Sequence, residues 1–265
     1  MYYLDLADEV QHCKCAFDLR KQPPLKPWAA PFISNVIDKS RNRRNMSQSV
    51  SPSEVDLASL LCSRLCHDLL SPVGAMNNGL ELLADETDPE MQKRCMDLLA
   101  ESAKSAADKL KFFRLAFGAA GGFGSAVDPS EARAVIEPLV TGNGRTALEW
   151  AVPQELLPKR AVKILLNLVF IANEVLVRGG VLSVGAENRG NEQEIVISLR
   201  GPKIILDGAI RDTLNGNSDQ SSIDSRTAAA WMVRSLTVQG GGTIQIAEPN
   251  AEQMIIGALV KGEAI

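Results

Sequence analysis

Two histidines occur in the 265 residues, and His67 stands in the run Leu65-Cys66-His67-Asp68-Leu69-Leu70-Ser71-Pro72. A neutral imidazole is a good nucleophile near neutral pH, because its ordinary pKa is about 6.5. It can take a phosphoryl group from an acyl phosphate and hand it on. Asp68 reads either as a carboxylate that orients or deprotonates that ring or as a helix-surface acid. Pro72 removes a backbone donor and bends a helix, and Ser71 is placed to cover the turn before it. Arg64, one turn earlier, reads as a partner for an anionic group or an acidic protein rim, or as a solvated arginine. The other histidine lies in His12-Cys13-Lys14-Cys15, which lacks a second ligand pair for four-coordinate metal. Cys62-Ser63-Arg64-Leu65-Cys66-His67 has three residues between its cysteines, where haem attachment uses two. Cys62, Cys66 and Cys95 therefore read as small thiols packed in a helix pair.

The elements that must carry these residues are helical. Ser51-Pro52-Ser53-Glu54 opens a helix, with serine as cap, that continues to about residue 84. Leu57, Leu61, Leu65, Leu69, Val73, Met76, Leu80 and Leu83 recur at steps of three and four and form one apolar stripe. His67 is two residues from both Leu65 and Leu69, about 200° round the helix, so it points away from the stripe. Ser63, Arg64, Ser71 and Gly74 share its outer face, and the small ones leave room for another protein to reach the ring. These four are the candidate partner-binding residues. After the turn Asp85-Glu86-Thr87-Asp88-Pro89, a second helix runs to about Phe117, with Met91, Cys95, Leu98, Leu99, Ser102, Ala106, Leu110, Phe113 and Phe117 on its stripe. Two helices cannot bury both stripes, so a second copy and a four-helix bundle are expected, making the chain a homodimer.

The body is acidic. Residues 1–45 carry a surplus of +3 and the remainder −7, for a net charge of −4, which argues against nucleic acid as the main partner. With 45% hydrophobic and 23% charged residues the composition is that of a globular protein. No apolar run reaches membrane-spanning length, and the acidic start lacks signal-peptide features, so the cytoplasm is expected. Residues 1–45, with Pro23-Pro24 and the basic run Lys39 to Arg44, read as a poorly ordered tail, and Met46 as a possible true start. Residues 46–119 form the helical hairpin, Gly118 to Gly124 a glycine-rich linker, and residues 125–265 a second domain. In that domain the pattern gives helices at about 129–140, 158–177, 205–214 and 224–239. Strands are expected at 145–151, 180–188, 193–200, 242–248 and 252–260. The fold class is α+β: a hairpin followed by a two-layer sandwich, helices on one face of a mixed sheet.

The block H-D-x-x-S-P resembles the phosphoacceptor motif of two-component histidine kinases, H-E-x-x-T-P or H-E-x-x-N-P, and residues 54–265 follow the order of a kinase core. Its nucleotide-binding boxes are broken. Asn167-Leu168-Val169-Phe170-Ile171-Ala172 places Ile171 where that family's second asparagine holds Mg²⁺. Leu199-Arg200-Gly201-Pro202-Lys203 puts Leu199 at the adenine-binding aspartate and Lys203 at a glycine. Thr227-Ala228-Ala229-Ala230 replaces the glycines of the phosphate loop. The combination resembles the ChpT family of alphaproteobacterial histidine phosphotransferases, dimers with a degenerate kinase-like second domain. That resemblance implies a phosphorelay step, with His67 and Asp68 as the chemical residues. Phosphate would pass from the receiver domain of a CckA-like hybrid kinase to His67 and on to CtrA-like and CpdR-like regulators, with Mg²⁺ supplied by the receiver and no ATP. An ATP-dependent sensor kinase fragment and a non-catalytic receiver-binding adaptor are the alternatives.

Overall fold

The computed structural model describes residues 53–118, 126–190, 192–218, 223–247 and 252–261. The expected tail, Cys13, Cys15 and most of the glycine-rich linker lie outside these residues. The fold is α+β, a helical hairpin followed by a sandwich of helices on a mixed sheet.

Helix α1 spans Glu54–Asp85. Its cap is Ser53, in a reciprocal capping box with Asp56. Helix α2, Pro89–Ala116, opens with Asp88 as cap and proline in its first turn, where the missing amide costs nothing. Glu86 shapes the tight turn between them: its Oε1 accepts from the amides of Thr87 and Asp88, each at 2.8 Å.

The sandwich contains β1 (Ala126–Val127), α3 (Pro129–Thr141), β2 (Thr146–Ala151), β3 (Leu157–Pro158) and α4 (Lys159–Val175). It continues through β4 (Gly180–Arg189), β5 (Glu192–Arg200), α5 (Gly208–Asn215), α6 (Ala228–Gln239), β6 (Thr243–Ile246) and β7 (Gln253–Lys261). The five-stranded sheet has the order β2-β4-β5-β7-β6, with β2 parallel to β4 and the other pairs antiparallel. The pair β1–β3, two residues each, escaped sequence reading because so short a strand carries no period. Helix α5 starts at Gly208, later than expected, since Asp207 caps it. Helix α6 likewise waits for a turn in which Asp224 accepts from the amides of Arg226 and Thr227. Gly180 (φ +144°) begins β4 so close to β5 that a Cβ there would lie 2.1 Å from the Arg200 carbonyl oxygen.

Helix α4 is the axis of the core, with Ile164, Leu165, Leu166, Leu168 and Val169 wholly buried. Phe170 joins Phe112, Phe113 and Phe117 of the hairpin in an aromatic cluster with ring centroids 5.0–6.5 Å apart. The hairpin and the sandwich thus share one core. Leu61 of α1 adds a second contact, packing with Ala228 and Met232 of α6.

The single stripe expected on α1 divides in two. Leu61, Arg64, Pro72 and Gly79 face inward, because α1 packs against the sandwich as well as against α2. Val55, Leu70, Val73 and Leu80 stay exposed on another face. Cys62 and Cys66 lie on that exposed face too, so of the three thiols expected to be packed only Cys95 is buried. Phe113→Ala, at a site 1% exposed within the aromatic cluster, is expected to cost about 3–5 kcal/mol. Urea unfolding measures it, and a loss under about 1 kcal/mol would mean that the cluster does not join the two parts.

Candidate functional site

Helix periodicity and one proline build the site. Pro72 has no amide, so the carbonyl four residues earlier, that of Asp68, loses its helical partner. Lys109 of α2 meets the vacancy, its Nζ donating to the Asp68 carbonyl oxygen at 2.9 Å. The motif's proline is therefore what draws a lysine of the second helix beneath the histidine. Ser71, expected to cover this turn, is exposed and leaves that carbonyl to Lys109.

Above this anchor the His67 side chain is 77% exposed. Its Nδ1 lies 3.0 Å from Oδ1 of Asp68. A carboxylate only accepts, so Nδ1 carries the hydrogen and Nε2 keeps its lone pair facing solvent. Asp68 is itself held, since its Oδ2 accepts from Arg64 Nε at 3.1 Å. Ser63, Ser71 and Gly74 are exposed around the ring. A Cβ on Gly74 would meet nothing within 4 Å. The surface beside the imidazole is thus low and open.

Arg64 departs from its expected place. Its side chain is 7% exposed and turned inward, away from the face shared by Ser63, Ser71 and Gly74. The reason is that its side chain reaches α4, where Glu174 pairs with the guanidinium and the Phe170 ring lies 4.7 Å below its Cζ. Burial opposes the charge on Arg64, but Glu174 and Asp68 together hold its pKa above the ordinary value. Burial pushes the Glu174 carboxyl up, partly offset by Arg64, although 41% of its side chain still meets solvent.

The positions that align with nucleotide boxes are packed. Ile171 is 1% exposed, Leu199 wholly buried, and Ala228, Ala229 and Ala230 are buried. Asn167 is wholly buried, and its Nδ2 donates to the carbonyls of Ala116 and Lys163 at 3.3 and 2.8 Å. The first of these is an orphan carbonyl at the end of α2, so this asparagine fastens the hairpin to the sandwich. Lys109 and Glu174 were missed in sequence reading. The proline signalled the first, since it requires a donor for the Asp68 carbonyl, whereas nothing in local sequence pairs residue 174 with residue 64.

Residues 129–252 match the family described as histidine phosphotransferase C-terminal domain. A protein phosphotransferase ChpT of Brucella abortus (strain 2308) is 36% identical over 213 residues, covering 80% of this chain and 100% of the relative. A solved bacterial phosphotransferase is similar with a TM-score of 0.71 and 34% identity, over 80% of this chain and 100% of that one.

Lys109→Met is expected to cost about 1 kcal/mol, because it strips the donor from a carbonyl that Pro72 has already orphaned. Pro72→Ala restores the amide, so in that background the same change should cost almost nothing in urea unfolding. An equal cost in both backgrounds would show that Lys109 does not serve this carbonyl.

Proposed function

This chain belongs to the histidine phosphotransferase family, and from that premise we propose that it is a relay intermediate between receiver domains, working without ATP. The receiver of a CckA-like hybrid kinase donates, and CtrA-like and CpdR-like response regulators accept. The observation that carries this reading is the exposed imidazole whose Nδ1 is engaged by Asp68, so that Nε2 faces a partner.

In the forward step the Nε2 lone pair attacks the phosphorus of an aspartyl phosphate in line. The P–O bond to the receiver's aspartate breaks, and that carboxylate leaves with the electron pair. The ring keeps its Nδ1 hydrogen and gains positive charge, which Asp68 balances at 3.0 Å. Transfer onward is the same step reversed onto a second aspartate. Equatorial charge on the moving phosphoryl group would be met by the Mg²⁺ and lysine that the receiver supplies. This chain contributes the nucleophile, its alignment and the open floor formed by Ser63, Ser71 and Gly74.

The burial of Ile171, Leu199 and Ala228 to Ala230 supports independence from ATP. A side chain sealed in the core offers nothing to a magnesium ion or a phosphate. The exposed face carrying Val55, Leu70, Val73 and Leu80 supports a homodimer, in which a second hairpin covers it to complete a four-helix bundle. No described helix is long and apolar enough to cross a membrane, in keeping with a relay protein of the cytoplasm.

Incubation with a ³²P-labelled receiver tests the reading. The chain is expected to take label that survives base and is lost in acid, and His67→Ala should reduce labelling to background. Onward transfer that survives His67→Ala would favour a receiver-binding adaptor. Rapid labelling by radioactive ATP would favour a sensor kinase instead. Ile171→Asn alone is expected to leave nucleotide binding undetectable by calorimetry, because Leu199 and the alanines remain. Measurable affinity after that one change would show that a nucleotide site persists.

A further inference from the structure

We propose that Arg64 and Glu174 are positioning residues, through which helix α4 sets the tautomer and orientation of the His67 ring. This rests on the phosphotransfer reading of His67 and adds to it the reason why a second domain is attached to the hairpin.

Among the described residues, the hydrogen bond to Asp68 is what holds the exposed imidazole. A free neutral histidine carries its hydrogen mainly on Nε2, the nitrogen that must stay bare if it is to attack. Asp68 therefore has to keep one oxygen turned toward Nδ1. His67 and Asp68 are neighbours on a helix, about 100° apart, and an unrestrained Asp side chain would have other rotamers open to it. Arg64 removes that freedom by taking the second oxygen through Nε at 3.1 Å. Its own terminal nitrogen is held by Glu174 and its plane by the Phe170 ring. Phe170 is in turn clamped by Phe112, Phe113 and Phe117. The chain of contacts Glu174–Arg64–Asp68–His67 thus runs from the rigid core of the sandwich to the nucleophile. Only a guanidinium can grip two carboxylates from the two ends of one planar fork, and a lysine ammonium offers a point charge in its place.

Arg64→Lys and Glu174→Gln test this in the full-length protein. The first keeps the charge and loses the fork, while the second keeps an acceptor and loses the charge. Two readouts are needed: single-turnover transfer from the ³²P-labelled receiver over a range of receiver concentrations, and ¹⁵N spectra of the imidazoles. The chain has two histidines, so the spectra assign readily against His67→Ala. Wild type should show Nδ1 protonated and Nε2 bare. Arg64→Lys should lower the maximal transfer rate about tenfold to a hundredfold, leave the half-saturating receiver concentration unchanged, and shift hydrogen from Nδ1 to Nε2. Glu174→Gln should move both readouts the same way by less. If Arg64→Lys does not fold, as circular dichroism reports, Glu174→Gln carries the test by itself.

A folded variant with wild-type maximal rate, or with an unshifted tautomer, overturns the proposal. So does a change confined to the half-saturating concentration, which would make Glu174 a docking contact. The phosphotransfer reading fails separately: wild type would take no label, and the tautomer shift alone would then decide whether the positioning holds.

Discussion

A buried guanidinium must be neutralised, and that requirement arranges the rest of this molecule. Unpaired, Arg64 would cost several kcal/mol at the junction of hairpin and sandwich. Its two partners come from different places, Asp68 one turn along its own helix and Glu174 on α4. Rotating α1 by one residue, about 100°, would carry the charge away from Glu174, while Asp68 turns with the helix. The pairing therefore fixes the rotation of the helix, and the residue three positions on, His67, is turned outward as a consequence. Exposure of the imidazole and burial of the arginine are one geometric fact.

The proline adds a second constraint at the same height. By orphaning the Asp68 carbonyl it draws in Lys109, so Asp68 is held by its backbone from α2 and by its side chain from Arg64. Two fixed points leave the ring one well-defined neighbour. Meanwhile the positions that correspond to nucleotide boxes serve packing: Ile171 and Leu199 fill the core, and Asn167 caps the end of α2. The sandwich is best understood as a rigid mount for the hairpin, with Glu174 at the edge where the two meet.

Much of this could be read from the chain. The 3.6-residue period shows both hairpin helices and the outward aim of His67, and most of the strands and helices of the sandwich follow from the pattern of apolar residues. What failed was tertiary. Spacing presents the stripe on α1 as one face, because it does not say that a helix packs on two sides; contact with α6, and the reach of Arg64 to α4, split it. The same omission put Arg64 in solvent and the thiols of Cys62 and Cys66 in a core. Glu174 was invisible for a related reason, as its partner is 110 residues away in sequence. The end of α2 is fastened by Asn167, a residue read only against a nucleotide box, although a buried amide always raises the question of which carbonyl it serves.

The central claim is that Nε2 of His67 accepts the phosphoryl group while Nδ1 stays engaged with Asp68. ³¹P NMR of the base-stable phosphorylated protein separates the two ring positions by chemical shift. The account predicts a single resonance from the Nε2 isomer, absent in His67→Ala. A resonance from the Nδ1 isomer, or from a phosphorylated residue other than His67, would contradict it.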